Sequence, residues 1–290
     1  MTFYQTGIVF ALTALVCWGF GDFFIQKTVR TLSSSKALFF IGIIGTIALF
    51  PFVVNEISAL DGSSLIFLTL IGVVVVFGAI FNFEGLRLGK MAIVEPLLGI
   101  ELPITVGLAM TLGREQLSLV QILLIAIVFI GIILAITIHH THLAYHKRIF
   151  EKGVIFAGIA AIALGLTTFL VGISSRGISP IMTIWFTHTL AAFVCALYLL
   201  YRGEFKTIFK DFKAHPRLIL GQSILDNGAW VAYAFSTTFI PISIAMAVSE
   251  SYIVLAVLLG IFVNREKLRH HQIIGVILAI GGIIALSAFS

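Results

Sequence analysis

Six ionisable side chains stand within long apolar stretches of the sequence, where an unpaired charge is costly. They are the acids Asp22, Glu95, Glu101, Asp226 and Glu250 and the imidazole His188. A charge at the centre of a bilayer costs about 2.5–3.5 kcal/mol, so such residues usually face a protein interior and take part in function. Carboxylates attract amines, and an imidazole titrates near neutral pH. These residue types therefore favour the binding of cations and protons.

The depth of these groups within their stretches predicts which of them meet. Glu101, His188, Asp226 and Glu250 each lie about ten residues into an apolar stretch of about 20. Helices of that length would bring the four groups to the middle of a membrane. Asp22 is expected nearer the cytoplasmic end of the first stretch.

Helical periodicity adds aromatic side chains to two of these faces. Trp18 and Asp22 are four residues apart and share one face of a helix. Asp226, Trp230 and Tyr233 form a similar stripe on another helix. Aromatic rings hold cations through cation–π contacts. An acidic, aromatic cavity without Lys or Arg suits a cationic or zwitterionic amine.

The predicted binding set follows from these two patterns. The candidate substrate-binding residues are Trp18, Asp22, Glu101, His188, Asp226, Trp230, Tyr233 and Glu250. Among them, Glu101, Asp226 and Glu250 are the candidates for proton coupling, because a carboxylate removed from water can exchange protons near neutral pH. The alternative for each polar residue is a structural hydrogen bond between helices. Glu115 and Glu266 are interpreted as helix-end residues.

Two prolines fall in the same stretch as Glu95 and Glu101. Pro96 and Pro103 each remove a backbone donor, which kinks a helix. In lipid, the freed carbonyls are tolerated only where neighbours or cavity water satisfy them. We therefore predict that the fourth helix is kinked and lines the cavity; the alternative is that the kink is an ordinary structural bend. We expect Glu95 near the outer end of the kinked region.

Membrane-spanning helices are the elements that must position these residues. Of the 290 residues, 60% are hydrophobic and 11% are charged, whereas soluble domains carry about 25% charged residues. Ten apolar stretches reach the length of a spanning helix. They cover residues 7–27, 35–54, 64–84, 91–112, 118–138, 153–173, 180–201, 217–238, 241–263 and 271–289. The predicted fold class is all-α and integral to a membrane.

The basic residues between these stretches predict an orientation. Of the 18 Lys and Arg residues, only Arg114 and Arg176 lie in even-numbered loops. Positive loops stay in the cytoplasm, so the odd-numbered loops are predicted inside and both termini outside. The basic pI is thereby explained without a nucleic-acid partner.

The sequence also repeats itself. Residues 7–30 align without a gap on residues 153–176, and residues 114–117 align on residues 265–268. Five spans form an odd number, so the second copy would cross the membrane in the opposite sense, as in many transporters. We predict two inverted five-helix repeats around a central cavity, over residues 1–138 and 153–290, joined by a cytoplasmic linker over residues 139–152.

The chain resembles the drug/metabolite transporter superfamily, in its ten-helix form with two EamA-like domains. The residues that carry the resemblance are Trp18 and Gly19, residues 92–96, Pro103, the Arg-Glu turns at Arg114 and Arg265, and the glycines Gly131, Gly275 and Gly282. The resemblance implies a basket of helices, alternating access and export of amino acids, other metabolites or toxic organic compounds. The sequence departs from the pattern at Leu164, where a Trp is expected, and in its two glutamates on the fourth helix.

The leading functional hypothesis is a secondary transporter for a small organic solute, expected to be an exporter driven by an ion or solute gradient. No phosphate-binding loop of the Walker type occurs in the sequence. Two alternatives remain: an enzyme that acts on a lipid-linked substrate, and a membrane sensor or assembly protein on the same scaffold. Polar midplane residues in both halves favour transport, because an interfacial enzyme would concentrate them at one face.

Other partners are not indicated. Cys17 and Cys195 form neither a disulfide framework nor a metal motif. The four histidines within residues 139–146 lack tight tetrahedral spacing, so no metal and no cofactor are predicted. The expected location is a prokaryotic inner membrane, and monomer and homodimer both remain open.

Overall fold

The computed structural model describes residues 2–89, 94, 97–136, 152–252, 254–255 and 270–288, and none of these residues lies in a strand. Each of the ten predicted stretches overlaps a helix among the described residues. These helices are α1 (Phe3–Thr31), α2 (Ser34–Val53), α3 (Gly62–Leu88), α4 (Glu101–Thr111), α5 (Leu119–Ile136), α6 (Lys152–Gly177), α7 (Pro180–Tyr201), α8 (Pro216–Phe239), α9 (Ile242–Glu250) and α10 (His270–Ala288). Glu95, Pro96, Glu266 and the histidines of residues 139–146 lie outside the described residues.

Five of these helices are long and apolar enough to cross a membrane: α1, α2, α3, residues Gly153–Gly177 of α6, and α7. The apolar parts of α5 and α10 are shorter. Helix α8 has 24 residues, but Gln222, Ser223, Asp226 and Asn227 lower its hydropathy. The prediction of an all-helical protein with apolar spans is confirmed, and the number of ten spans stays a prediction.

Local capping chemistry sets where the first and third of these helices begin. The Thr2 hydroxyl accepts a hydrogen bond from the Gln5 amide at 3.2 Å, and the Gln5 side chain accepts one from the Thr2 amide at 2.9 Å. This reciprocal arrangement satisfies donors that a helix start leaves free. Asp61 caps α3 and accepts hydrogen bonds from Ser63 and Ser64, which lower the pKa of Asp61 to about 2.

Helices from the first half of the chain pack mainly on helices from the second half. The most extensive pairs are α1 with α8, α3 with α6, α5 with α10, and α2 with α7, and α4 also packs on α9. The pairing is symmetric between the two halves of the chain. When each helix is replaced by its counterpart five helices along the chain, α1–α8 and α3–α6 interchange, and α2–α7, α4–α9 and α5–α10 are unchanged. The buried core therefore lies between the halves, and a cavity there is lined by both.

Small residues allow the closest helix contacts. A Cβ atom on Gly131 of α5 would lie 2.6 Å from the Ala279 amide nitrogen of α10. A Cβ atom on Gly42 of α2 would lie 2.6 Å from the His188 carbonyl of α7. Small residues at such positions let helices in lipid gain van der Waals contact. The second contact also fixes α7 at the level of His188.

Candidate functional site

A cavity lies between the two halves, with an empty volume of about 780 Å³ including its mouth. Every residue of the predicted binding set except Tyr233 lines this cavity: Trp18, Asp22, Glu101, His188, Asp226, Trp230 and Glu250. They come from α1, α4, α7, α8 and α9, so the cavity draws on both halves of the chain.

The cavity extends toward one end of the helix bundle. Its lining includes Ile25 in the last part of α1, Leu38 in the first part of α2 and Phe83 in the last part of α3. The loop that joins α1 to α2 lies at this end, and it is flanked by Lys27 and Lys36. The cavity is therefore nearer to the end that carries the basic first loop.

Four carboxyl groups from four helices meet in this cavity. Asp22 lies close enough to Glu101, Asp226 and Glu250 for their charges to interact, and Glu250 also interacts with Glu101. Glu101, Asp226 and Glu250 are almost fully buried, and Asp22 is partly exposed. The described lining residues include no Lys or Arg. Asp22, expected nearer the cytoplasmic end, shares the cavity with the other three acids.

Hydrogen bonding differs among these carboxyl groups. Asp22 interacts with the Tyr252 side chain and Glu101 with the Thr168 side chain. The Oε1 atom of Glu250 is buried and has no hydrogen-bond partner among the described residues. An unpaired buried carboxyl oxygen costs stability, so Glu250 is the acid best suited to meet a ligand.

His188 is held by a three-helix hydrogen-bond network. Its Nδ1 atom lies 2.7 Å from the Asn227 Oδ1 atom. The Asn227 Nδ2 atom donates to the Ile41 carbonyl at 3.0 Å and to the Ser223 carbonyl at 2.8 Å. The amide orientation is thereby fixed, so Nδ1 of His188 is the donor. In the neutral ring, Nε2 is then a hydrogen-bond acceptor.

Gly45 of α2 makes room for this network. A Cβ atom there would overlap the Asn227 Oδ1 atom and would lie 3.0 Å from His188 Nδ1. The orientation of His188 thus depends on Gly45, which has no side-chain functional group.

The aromatic residues separate into two layers. Trp18 and Trp230 line the cavity and meet edge to face, with ring centroids 5.2 Å apart. Tyr233 lies behind them, 5.7 Å from Trp18, and is fully buried. Its hydroxyl donates to the Thr168 carbonyl at 3.1 Å. Tyr233 therefore supports the tryptophans and does not line the cavity.

Three polar residues that the sequence analysis did not select also line the cavity: Asn82, Thr167 and Tyr252. Asn82 Oδ1 and Thr167 Oγ1 are buried without a partner among the described residues. The signal is present for Asn82, a polar amide in an otherwise apolar stretch, but the predicted set contains only ionisable groups and the aromatic residues in phase with them. Thr167 and Tyr252 carry no distinctive signal, because such residues are common in membrane helices.

Pro103 lies at the third position of α4, immediately after Glu101 and Leu102. The Gly99 carbonyl accepts from the Leu102 amide at 3.3 Å, since Pro103 has no amide to offer. Gly99 and Ile100 form a turn before α4 begins. Glu101 therefore stands at a helix start, where the helix dipole favours a negative charge.

A second acidic site lies in the turn before α5. The Glu115 carboxylate accepts from the Ile242 amide at 2.6 Å, the Ser243 amide at 3.1 Å and the Ser243 hydroxyl at 2.8 Å. Arg176 donates to it at 2.9 Å. We call these four residues the Glu115 corner. Glu115 caps the start of α9, a helix distant from it in sequence.

Arg176 also donates to the Thr237 carbonyl at 2.7 Å and the Ile240 carbonyl at 3.0 Å, at the end of α8. In the aligned position of the first half, Arg30 donates to the Leu86 carbonyl at 3.3 Å and the Gly89 carbonyl at 2.9 Å, at the end of α3. Each arginine thus binds carbonyls at the end of the helix that lies two helices further along its own half: Arg30 of α1 at the end of α3, and Arg176 of α6 at the end of α8.

Comparison with known proteins gives a family. An uncharacterized protein of Methanocaldococcus jannaschii is 32% identical over 132 residues, which cover 45% of this chain and 96% of that protein. A crystal structure matches with a TM-score of 0.73 over 98% of this chain and 96% of the other, at 15% identity, which shows a shared fold alone. The EamA-like transporter family model matches residues 5–137 and again residues 151–288. The chain is therefore a multi-pass membrane protein that belongs to the EamA-like transporter family.

Proposed function

We propose that this protein is a secondary transporter that exports a cationic or zwitterionic amine by alternating access, in exchange for protons. One observation carries the proposal: the carboxyl groups of Asp22, Glu101, Asp226 and Glu250 share a cavity whose described lining has no Lys or Arg. An anionic solute would meet only like charge there. Trp18 and Trp230 add aromatic rings at the wall of the same cavity, which favours an ammonium group.

Competition for the carboxylates couples the amine to the proton. A protonated carboxyl group has lost the charge that attracts an ammonium ion, so each carboxylate binds a proton or an amine but not both. Among the described lining residues, the titratable groups are Asp22, Glu101, His188, Asp226, Glu250 and Tyr252. Among these, Glu101, Asp226 and Glu250 are the residues proposed to exchange the proton. Low pH on the side from which the amine binds is then expected to weaken amine binding.

The proposed architecture is ten spans in two inverted five-helix repeats, with both termini outside. Three observations support it. The same set of helix pairs results when each helix is replaced by its counterpart in the other half of the chain. The family model matches twice. The archaeal relative corresponds to only about half of this chain. In this orientation the cavity extends toward the cytoplasm, and the Glu115 corner lies at the opposite end. Rocking of the halves would then alternate access.

Ligand-dependent thermal unfolding of the purified protein in detergent tests the proposal. We expect amines to raise the unfolding temperature, less so at low pH, and anionic metabolites to have no effect. Glu250→Gln and Asp226→Asn should each weaken amine binding by about tenfold, since a hydrogen bond to a charged group contributes about 1.5–3 kcal/mol. Glu56→Gln is the matched control, because Glu56 is exposed and remote from the cavity.

Transport is then measured in proteoliposomes that contain a pH-sensitive dye. Addition of an amine that binds should move protons in the direction opposite to the amine. The proposal fails if anions or neutral solutes stabilise the protein instead, or if Glu250→Gln and Asp226→Asn respond like the parent protein. It also fails if amine flux occurs without a change in internal pH.

A further inference from the structure

The hydrogen-bonding character of the cavity restricts the ligand beyond its charge. Two buried oxygens in the lining, Glu250 Oε1 and Asn82 Oδ1, are acceptors without a partner among the described residues. His188 adds a third acceptor at Nε2, because its Nδ1 atom bonds to Asn227. Ionised carboxylates are acceptors only. A ligand that forms hydrogen bonds with all of these acceptors must supply several N–H donors.

The acids lie on two helix pairs. Asp22 interacts with Asp226 where α1 packs on α8, and Glu101 interacts with Glu250 where α4 packs on α9; Asp22 also interacts with Glu101 and Glu250. The contact between α1 and α8 at this level is close, since a Cβ atom on Gly21 would lie 3.4 Å from Leu225 Cβ. Negative charge is thus distributed over two walls of the cavity.

This distribution does not suit a single metal ion. Among the described residues, no three His, Cys, Asp or Glu side chains are grouped closely enough to hold one. A compact divalent cation needs ligand oxygens at about 2.0–2.6 Å from one centre. An elongated organic cation can instead place one charge at each acidic pair.

The lining also disfavours a ligand that carries its own carboxylate. Such a group is normally recognised by Arg or Lys or by a cluster of backbone amides. The described part of the lining has no Arg or Lys, and four acids would repel a substrate carboxylate. Amino acids are therefore poorer ligands for this cavity than the amines that lack a carboxylate.

We propose that the cavity binds a linear diamine, with one ammonium group at the Asp22–Asp226 pair and the other at the Glu101–Glu250 pair. This inference rests on the proposed function and narrows its substrate class. It excludes zwitterionic amino acids as preferred substrates. The Trp18 and Trp230 rings would contact the ligand between or beside its charged ends.

Three ligands of equal chain length test the inference: cadaverine, pentylamine and lysine. Pentylamine lacks the second amino group, and lysine adds a carboxylate to cadaverine. Binding of each to the purified protein is measured by isothermal titration calorimetry at neutral pH. We expect cadaverine to bind at least about tenfold more tightly than pentylamine, by the free energy of one charge-assisted contact, and also more tightly than lysine.

Two variants assign the ends of the ligand. Glu250→Gln and Asp226→Asn each weaken one acidic pair, so each should reduce the preference for cadaverine over pentylamine toward equality. Glu56→Gln should keep the full preference. Circular dichroism of each variant verifies that it remains folded.

The outcomes separate this inference from the proposed function. If pentylamine binds as tightly as cadaverine, or lysine binds more tightly, the diamine assignment is wrong while amine transport stands. If none of the three ligands binds and anions or neutral solutes do, both proposals are overturned. A preference for cadaverine that survives in both acidic variants also overturns the assignment, because the second ammonium then binds elsewhere.

Discussion

Glu115 and Glu250 are two nearly buried glutamates with opposite surroundings. The Glu115 carboxylate receives four hydrogen bonds, from Ile242, from two atoms of Ser243 and from Arg176. Glu250 lines the cavity, and its Oε1 atom has no partner among the described residues. A buried acid that is fully hydrogen-bonded stabilises the fold, whereas an unsatisfied one costs stability and is available to a ligand. The contrast separates a structural site from a functional one.

The largest expected effect is the loss of stability when Glu115 is neutralised. In Glu115→Gln, Arg176 loses its charged partner and the new amide group faces the Ile242 and Ser243 donors. We expect the free energy of unfolding to fall by about 2–3 kcal/mol. Unfolding in mixed detergent micelles, followed by circular dichroism, measures the change.

Glu84→Gln is the matched control for this change. Glu84 forms a partly exposed ion pair with Arg87, one turn away on α3, and such surface pairs contribute about 0.2–1 kcal/mol. Equal losses in Glu84→Gln and Glu115→Gln would contradict the structural role assigned to the Glu115 corner.

A smaller effect is expected where the cavity wall depends on packing. In Gly45→Ala, the added methyl group would overlap Asn227 Oδ1 and displace His188. Overpacking of this kind costs about 1–3 kcal/mol, and we expect the lower part of that range because the side chains can shift. Thermal unfolding in detergent gives the change in stability, and cadaverine binding gives the change at the site.

Gly107→Ala is the comparison for Gly45→Ala. Gly107 lies in α4, and a Cβ atom on it would have no neighbouring atom within 4 Å. Alanine favours a helix over glycine by about 1 kcal/mol, so the stability of this variant should stay constant or rise. A loss as large as that of Gly45→Ala would show that the cost is unrelated to the His188–Asn227 network.

The sequence predicted the helices well because hydropathy depends on local composition. It also predicted that acids from separate helices would share a site, since depth in the membrane follows from position in a stretch. Tyr233 was placed in the cavity because its helical phase matches that of Trp230. The structure puts it behind Trp18, which belongs to another helix, so phase within one helix could not decide its exposure.

The two glutamates show the same limit more clearly. Glu115 was interpreted as a helix-end residue, and it does cap a helix start. That helix is α9, which begins more than one hundred residues further along the chain. Nothing in the local sequence of Glu115 or Glu250 states how many donors surround each carboxylate. That number depends on which helices pack together, which is why the roles of the two acids required the structure.

The smallest expected effect at the site, opposite in sign to those of Glu115→Gln and Gly45→Ala, is the change in stability caused by Glu250→Gln. The substitution keeps the shape of the side chain and removes an acid that lies near two others, Glu101 and Asp22. We expect the free energy of unfolding at neutral pH to stay constant or to rise by up to about 1 kcal/mol, while amine binding weakens. The same micelle titration used for Glu115→Gln measures it. A loss of stability as large as that of Glu115→Gln would mean that Glu250 also has a structural role, because its charge would then be compensated in the folded protein. A gain in stability together with weaker amine binding would instead identify Glu250 as an acid that destabilises the ligand-free protein and contributes to ligand binding.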